Sequence, residues 1–276
     1  MDVNKAFKLN TDEAYYFTVT VEAIQLYYTI FTKEEQMISV CIATYNGKEE
    51  LRRQLDSIYP QLSADDEIVI SDDNSTDGTR ELIKSYIDND ACLPQVHLIN
   101  GPSLHSPIPN FENALKHAKG DYIFLSDQDD QWMPNKVEVM MKALQQSSCV
   151  VSDCVVTDGS LNVTAPSFYE LNRTRAGWMY NLFVKNGYLG CCMAFRRCVL
   201  EKSLPFPKHT PMHDIWIGNI AAMYYDVCFI NDRLINFCRH DHNASDTARK
   251  STSSFLQKIG YRLIVARDLI KKRLGK

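Results

Sequence analysis

Two acidic clusters hold the residue types best suited to chemistry in this chain. Asp72 and Asp73 lie in the segment from Ile68 to Thr79, and Asp127 and Asp129 in the segment from Tyr122 to Trp132. Each cluster follows an apolar run that reads as a buried strand. Carboxylates at the carboxyl ends of parallel strands stand at the mouth of the sheet, where open α/β folds bind ligands. A packed core gives no reason for so much negative charge. A divalent cation does, because Mg²⁺ and Mn²⁺ prefer hard oxygen ligands. The pattern predicts a metal-assisted site for a phosphate-bearing substrate.

The elements that must position these groups alternate in kind. Strands are expected at 38–43, 67–71, 96–99, 122–125 and 149–152. Helices are expected at 49–58, 79–87, 110–118 and from Pro134 to about Gln146, proline being tolerated in a first turn. In the first helix Leu51, Leu55 and Ile58 share one face. The segment from Gly101 to Pro109 contains three prolines and reads as a loop. Ser75, Thr76 and Asp77 can turn the chain and cap the helix that follows, and Asp72 can share that role. Alternation of this kind implies right-handed crossovers and a mostly parallel sheet flanked by helices. Residues 158–190 are more irregular and suit a substrate-shaping part of the same domain.

The chain has 276 residues, of which 45% are hydrophobic, enough for a sizeable core. A net charge of −4 argues against general nucleic-acid binding. Nine scattered cysteines with no CxxC pair read as reduced thiols and a cytosolic setting. No apolar run approaches the roughly 20 residues of a membrane-spanning helix, and no secretory signal is evident. Residues 1–36 read as a peripheral extension, with Met37 as an alternative start. The tail 249–276 is strongly basic. In it Phe255, Ile259, Leu263, Ala266, Ile270 and Leu274 recur at helical spacing, as in a helix lying in an anionic membrane interface. A helix packed on its own domain with a solvated charged face has the same composition.

Three segments in order, Val40–Gly47, Ser71–Thr79 and Gly120–Trp132, resemble the family 2 glycosyltransferases of the GT-A fold over residues 37–245. With Asn110-Phe111-Glu112 upstream, the second acidic cluster is most similar to that of bacterial enzymes building O-antigen or capsule, many of them rhamnosyltransferases. The resemblance implies a nucleotide-sugar half (37–135) and an acceptor half (136–248). It implies a sugar donor linked to UDP or dTDP, and Mg²⁺ or Mn²⁺ held by Asp129 and Asp127, with His240 as a further ligand or diphosphate contact. Asp127 would otherwise face the ribose. Thr44, Tyr45, Asn46 and Asn110 would line the nucleotide pocket. Asp73 would accept a hydrogen bond from the base N3–H, which favours uracil or thymine over cytosine. Asp214 would be the general base of an inverting displacement, with His213, Gly190 and Trp178 towards the acceptor. His213 could instead cap the following helix. Asp130 could be a helix-start residue. Cys238 occupies the family arginine position, with Arg239 beside it.

The expected activity is therefore metal-dependent transfer of a sugar, rhamnose by resemblance, to a lipid-linked saccharide at the inner face of the plasma membrane. A nucleotidyltransferase would need a glycine-rich basic loop after the first strand. The loop from Thr44 to Glu50 has one glycine and one lysine. A non-catalytic sugar-binding module would have no need of Asp214 as a base.

Overall fold

The structure is a computed structural model that describes residues 36–88, 94–239 and 255–275. The extension before residue 36 and the segment carrying His240 lie outside the described residues. Residues Met37–Lys276 form one compact unit.

Four strands build the first part of the sheet: β1 (Ile38–Thr44), β2 (Glu67–Asp72), β3 (Gln95–Asn100) and β4 (Tyr122–Asp127). They pair in parallel in the order β3-β2-β1-β4. All six residues of β2 are buried. The apolar runs are continuous because helices cover both faces of a parallel sheet. Helices α1 (Lys48–Ile58), α2 (Thr79–Ile87) and α3 (Pro107–His117) make the crossovers. In α1 the buried face is Leu51, Leu55 and Ile58, as the spacing predicts, together with Gln54, whose amide donates to Ser126 of β4.

α3 starts earlier than expected. Its N-cap is Ser106, and Pro107 lies in the first turn with Pro109 soon after. There the missing N–H costs nothing and the fixed φ favours the helix. The three prolines thus divide between a loop and a helix start. α4 (Lys136–Leu144) begins two residues after Pro134, with Asn135 as its N-cap.

The sheet then becomes mixed. The two-residue strand β5 (Gln131–Trp132) is followed by β6 (Cys149–Asp158), β7 (Val163–Ala165), β8 (Met193–Arg196) and β9 (Val227–Arg239). β8 runs antiparallel between β4 and β6, while β9 pairs in parallel with β6. β5 closes back antiparallel on the end of β9, so the turn carrying Asp129 is clasped between β4 and β9. Short helices α5 (Phe168–Asn172) and α6 (Trp178–Phe183) occupy the irregular stretch, and α7 (Arg197–Ser203) leads to α8 (His213–Tyr224). α8 is buried along most of its length.

The last element, α9 (Phe255–Arg273), packs on α6 and α8. It buries Val265 and Leu269 and leaves Leu263, Ile270 and Leu274 exposed. The apolar stripe expected from the spacing is thus partly on the outer face, and other residues make the contact with the domain. Arg262 donates to the Val184 carbonyl and Lys272 to the Leu204 carbonyl. No described helix is long and apolar enough to cross a membrane.

Candidate active site

At the carboxyl edge of β1 and β2 the loops lock together. Asp72 accepts from Thr44 Oγ1, Ser75 Oγ and the Ser75 N–H, and pairs with Arg80 at 2.9 Å. It is a turn organiser, and the Thr44 hydroxyl is committed to it. Asn46 sits at φ 45° and bridges the two loops: its N–H donates to Ser75 Oγ, and its Oδ1 accepts from the Thr76 N–H. Asp77 accepts from Thr79 and from the Lys48 N–H, which joins α1 to α2.

Asp73 differs from Asp72. It is buried, its Oδ1 accepts from the Ser103 N–H, and its Oδ2 has no hydrogen-bond partner among the described residues. A buried carboxylate oxygen without a partner is costly, and a ligand N–H would satisfy it. The Tyr45 ring is half exposed and lies 4.4 Å from the His105 ring, tilted by 43°. Asn110 donates from Nδ2 to the Thr44 carbonyl at 3.1 Å, and its Oδ1 has no partner among the described residues.

The second cluster lies at the end of β4. The Gln128 side chain grips Tyr45 from both sides, accepting from its N–H at 2.9 Å and donating to its carbonyl at 3.2 Å. A Cβ on Gly47 would come within 2.4 Å of that side chain, so only glycine leaves room for it. Asp127 is pushed up to about 8, first by burial and then by the charges of Asp129 and Asp214. The carboxylates of β4, the following turn and α8 therefore face one region and repel one another. Asp130 is fully buried. It accepts from the Cys238 N–H at 3.0 Å, and its second oxygen has no partner among the described residues. Burial, then Asp129 and Asp127, hold it well above the usual carboxylate range. It lies well before α4 and does not act as a helix-start residue.

Asp214 lies in the first turn of α8. It accepts from the Gly190 N–H at 3.1 Å and the Ile215 N–H at 2.6 Å, and burial raises it to about 6. Two backbone donors fix the carboxylate, and the raised pKa suits proton abstraction near neutrality. His213 beside it stacks on Phe111 at 4.0 Å between ring centroids. Both its ring nitrogens are buried without partners among the described residues, and burial lowers it to about 3, so it is neutral and does not cap α8. A Cβ on Gly190 would approach His213 Nε2 to 2.8 Å, which explains glycine there. Trp178 stands elsewhere, on α6 against the far end of α8, where it faces Ile270 and Leu274.

Sequence reasoning missed two cations. Lys136 is fully buried in the first turn of α4. Its Nζ donates to the Cys191 carbonyl at 2.6 Å and lies 4.3 Å from the Trp132 ring centroid. Its charge opposes those of Asp127 and Asp130. Arg53 of α1 donates to the Asp129 carbonyl at 2.7 Å and to Cys238 Sγ at 3.3 Å. A guanidinium thus reaches the place where Cys238 stands for an arginine. Lysine and arginine on amphipathic helices ordinarily read as solvated, so neither carried a signal.

These residues suit a divalent cation. Ligand atoms of Asp127, Asp130 and Cys191 lie within 4.8 Å of one another. Cys191 is the least suitable of the three. Burial holds its thiol well above the usual range, and its contact with Cys192 and the charge of Asp130 raise it further. Sulfur also suits Mg²⁺ and Mn²⁺ poorly. Asp127 and Asp130 supply the hard oxygen donors of this group, Asp129 lies outside it but near enough to raise both, and their mutual repulsion is what a cation would relieve.

Known proteins agree with this architecture. The chain is 23% identical over 198 residues to the UDP-Glc:alpha-D-GlcNAc-diphosphoundecaprenol beta-1,3-glucosyltransferase WfgD of Escherichia coli, covering 69% of this chain and 74% of that protein. It is 27% identical over 227 residues to the dTDP-rhamnosyl transferase RfbG of Shigella flexneri, covering 78% and 71%. Among solved structures it resembles S. aureus TarS 1-349 in complex with UDP-GlcNAc, with a TM-score of 0.61 and 16% identity over 83% of this chain and 66% of that one. That likeness shows the GT-A fold. The model of the family described as Glycosyl transferase family 2 matches residues 39–204, from β1 through α7 and across both acidic clusters. The chain belongs to the family 2 glycosyltransferases.

Proposed function

We propose that the protein transfers a sugar, rhamnose in the first instance, from UDP or dTDP to a lipid-linked saccharide in cell-surface polysaccharide synthesis. The acceptor class is supported by the name of WfgD and the sugar by that of RfbG. The observation that carries the reading is the gathering of ligand atoms of Asp127 and Asp130 within 4.8 Å, with Asp129 and Asp214 near enough to raise Asp127.

In this reading Asp73 Oδ2 accepts the base N3–H, and Tyr45 and His105 pack beside the base. Asp214 takes the proton from the acceptor hydroxyl. The oxygen attacks the anomeric carbon while the bond to the diphosphate breaks on the opposite face, so the configuration inverts. A cation held by Asp127, Asp129 and Asp130, when bound, supplies charge stabilisation to the leaving diphosphate. Lys136 and Arg53 keep the carboxylate turn in place. His213, neutral and unpartnered, offers a hydrogen bond to the acceptor. The protein works at the cytoplasmic face of the membrane, with α9 as its peripheral contact.

The test is donor hydrolysis across a panel of UDP-, dTDP- and GDP-sugars, with Mg²⁺, Mn²⁺ or chelator. Release of nucleoside diphosphate from a UDP or dTDP donor only with metal is expected, and Asp129→Ala should abolish it. Full turnover in chelator, or in Asp129→Ala, would overturn the metal role. Release of pyrophosphate from a triphosphate would overturn the transferase reading.

A further inference from the structure

Along α6, α8 and the end of α9 runs an open slot of about 330 Å³ lined by Trp178, Ala222, Met223, Ile270, Arg273 and Leu274. Five of these six residues present apolar surface. Trp178 is 42% exposed, Ile270 57% and Leu274 64%. Neighbouring Met179, Phe183 and Val184 are exposed as well, so the apolar surface extends beyond the slot. Large apolar side chains clustered this way mark a binding surface rather than ordinary surface composition.

Cations rim the slot. Tyr224, at the end of α8, lies between Lys202, whose Nζ is 4.3 Å from its ring centroid, and Arg273 at 5.5 Å. Lys272 is close enough to Lys202 that, after burial, this second charge lowers its pKa. The Tyr224 hydroxyl is buried with no hydrogen-bond partner among the described residues. Two cations at one ring, with a third beside one of them, repel one another, and an anion would relieve them. An apolar slot beside a cationic rim is complementary to an apolar chain ending in a phosphate.

We propose that this slot holds the lipid chain of the acceptor, with the phosphate next to the chain on Arg273 and Lys202. This rests on the transferase reading above and deepens it. Ala222 and Met223 follow Asp214 by eight and nine residues on the same helix. At 1.5 Å per residue that is about 12 Å along α8. A saccharide joined to its lipid through phosphate has the length to reach from the slot towards the base. Trp178 then contacts the lipid rather than a sugar ring.

The probe is decyl phosphate below its micelle concentration, read by tryptophan fluorescence on the full chain. Trp132 and Trp216 are buried, so Trp178 reports on the slot. A saturable blue shift is expected, absent in Trp178→Phe. Ile270→Asp should weaken half-saturation about tenfold or more, the loss expected for one well-buried aliphatic contact. Arg273→Glu should weaken binding of decyl phosphate but not of decanol. Both positions are exposed, so neither variant threatens folding. No saturable shift, or an unchanged half-saturation in Ile270→Asp, would overturn the proposal. So would a shift seen only with anionic vesicles, which would make the surface a bilayer contact, or a dimer lost in Ile270→Asp, which would give the slot to a second copy. Donor hydrolysis on the same preparation separates the two readings: its loss with the shift intact counts against transfer, and the converse counts against the slot.

Discussion

In the proposed reaction two carboxylates with different surroundings, Asp214 and Asp73, divide the chemistry at the residue scale. Asp214 is raised to about 6 by burial, so it is charged above that pH and carries a proton below it. The rate should fall about tenfold per pH unit below 6, because only the deprotonated form can accept a proton. A pH profile of kcat/KM checks this. Asp214→Asn should lower kcat at least a hundredfold with donor affinity kept. Because the folded pKa lies above the unfolded one, ionisation of Asp214 opposes folding near neutral pH. That penalty is about 3 kcal/mol at pH 7 and mostly gone by pH 4, so thermal melts at the two pH values should lose this pH dependence in Asp214→Asn, whose absolute gain is offset by the backbone N–H its amide nitrogen cannot accept. Asp73→Asn should keep the bond from Ser103 yet weaken UDP binding about tenfold, since one oxygen becomes a donor facing the base N3–H. Calorimetry with UDP and CDP would show the loss for UDP alone.

Glycines set the clearances at the scale of elements. In Gly190→Ala the new Cβ would press on His213, which stacks on Phe111 and cannot swing freely. The expected result is a kcat at least about tenfold lower with donor KM little changed, because only the acceptor side is displaced. Steady-state kinetics in donor at saturating acceptor would show it. The strands and the faces of α1 were legible in the sequence because burial of both sheet faces leaves unbroken apolar runs. The start of α3 was not, because proline marks loops and helix starts alike. Asp73, Asp127 and Asp129 could be singled out by their place after strands. Lys136 and Arg53 could not, because their burial depends on Cys191, Cys238 and the Asp129 carbonyl, all distant in sequence. Asp130 reads as one more acid beside a helix until β9 is seen to donate to it.

For the whole molecule, α9 belongs to the folded unit even though its outer face is charged and partly apolar. Removing it would uncover the surface under Val265 and Leu269, so deletion confounds attachment with stability. Charge reversal at Arg267 and Lys271, both exposed, separates them. Each reversal should cost roughly 1 kcal/mol or more of binding to phosphatidylserine vesicles, fading at high salt. Unchanged sedimentation with vesicles would leave α9 as a packing element alone. The tail's composition carried the helix but not its orientation, because the contact face is chosen by α6 and α8.

The reversal of β8 between β4 and β6 bears on how such proteins diversify. The pairing of Phe124 with Ala194 stitches the early and late portions of the chain into a single ladder. A chimera spliced after residue 135 therefore inherits a foreign neighbour for β4. Exchange of specificity between relatives should succeed only when the incoming segment keeps the register of Ala194, Phe195 and Arg196 against Phe124, Ile123 and Tyr122, which makes this short antiparallel seam the gatekeeper for recombination.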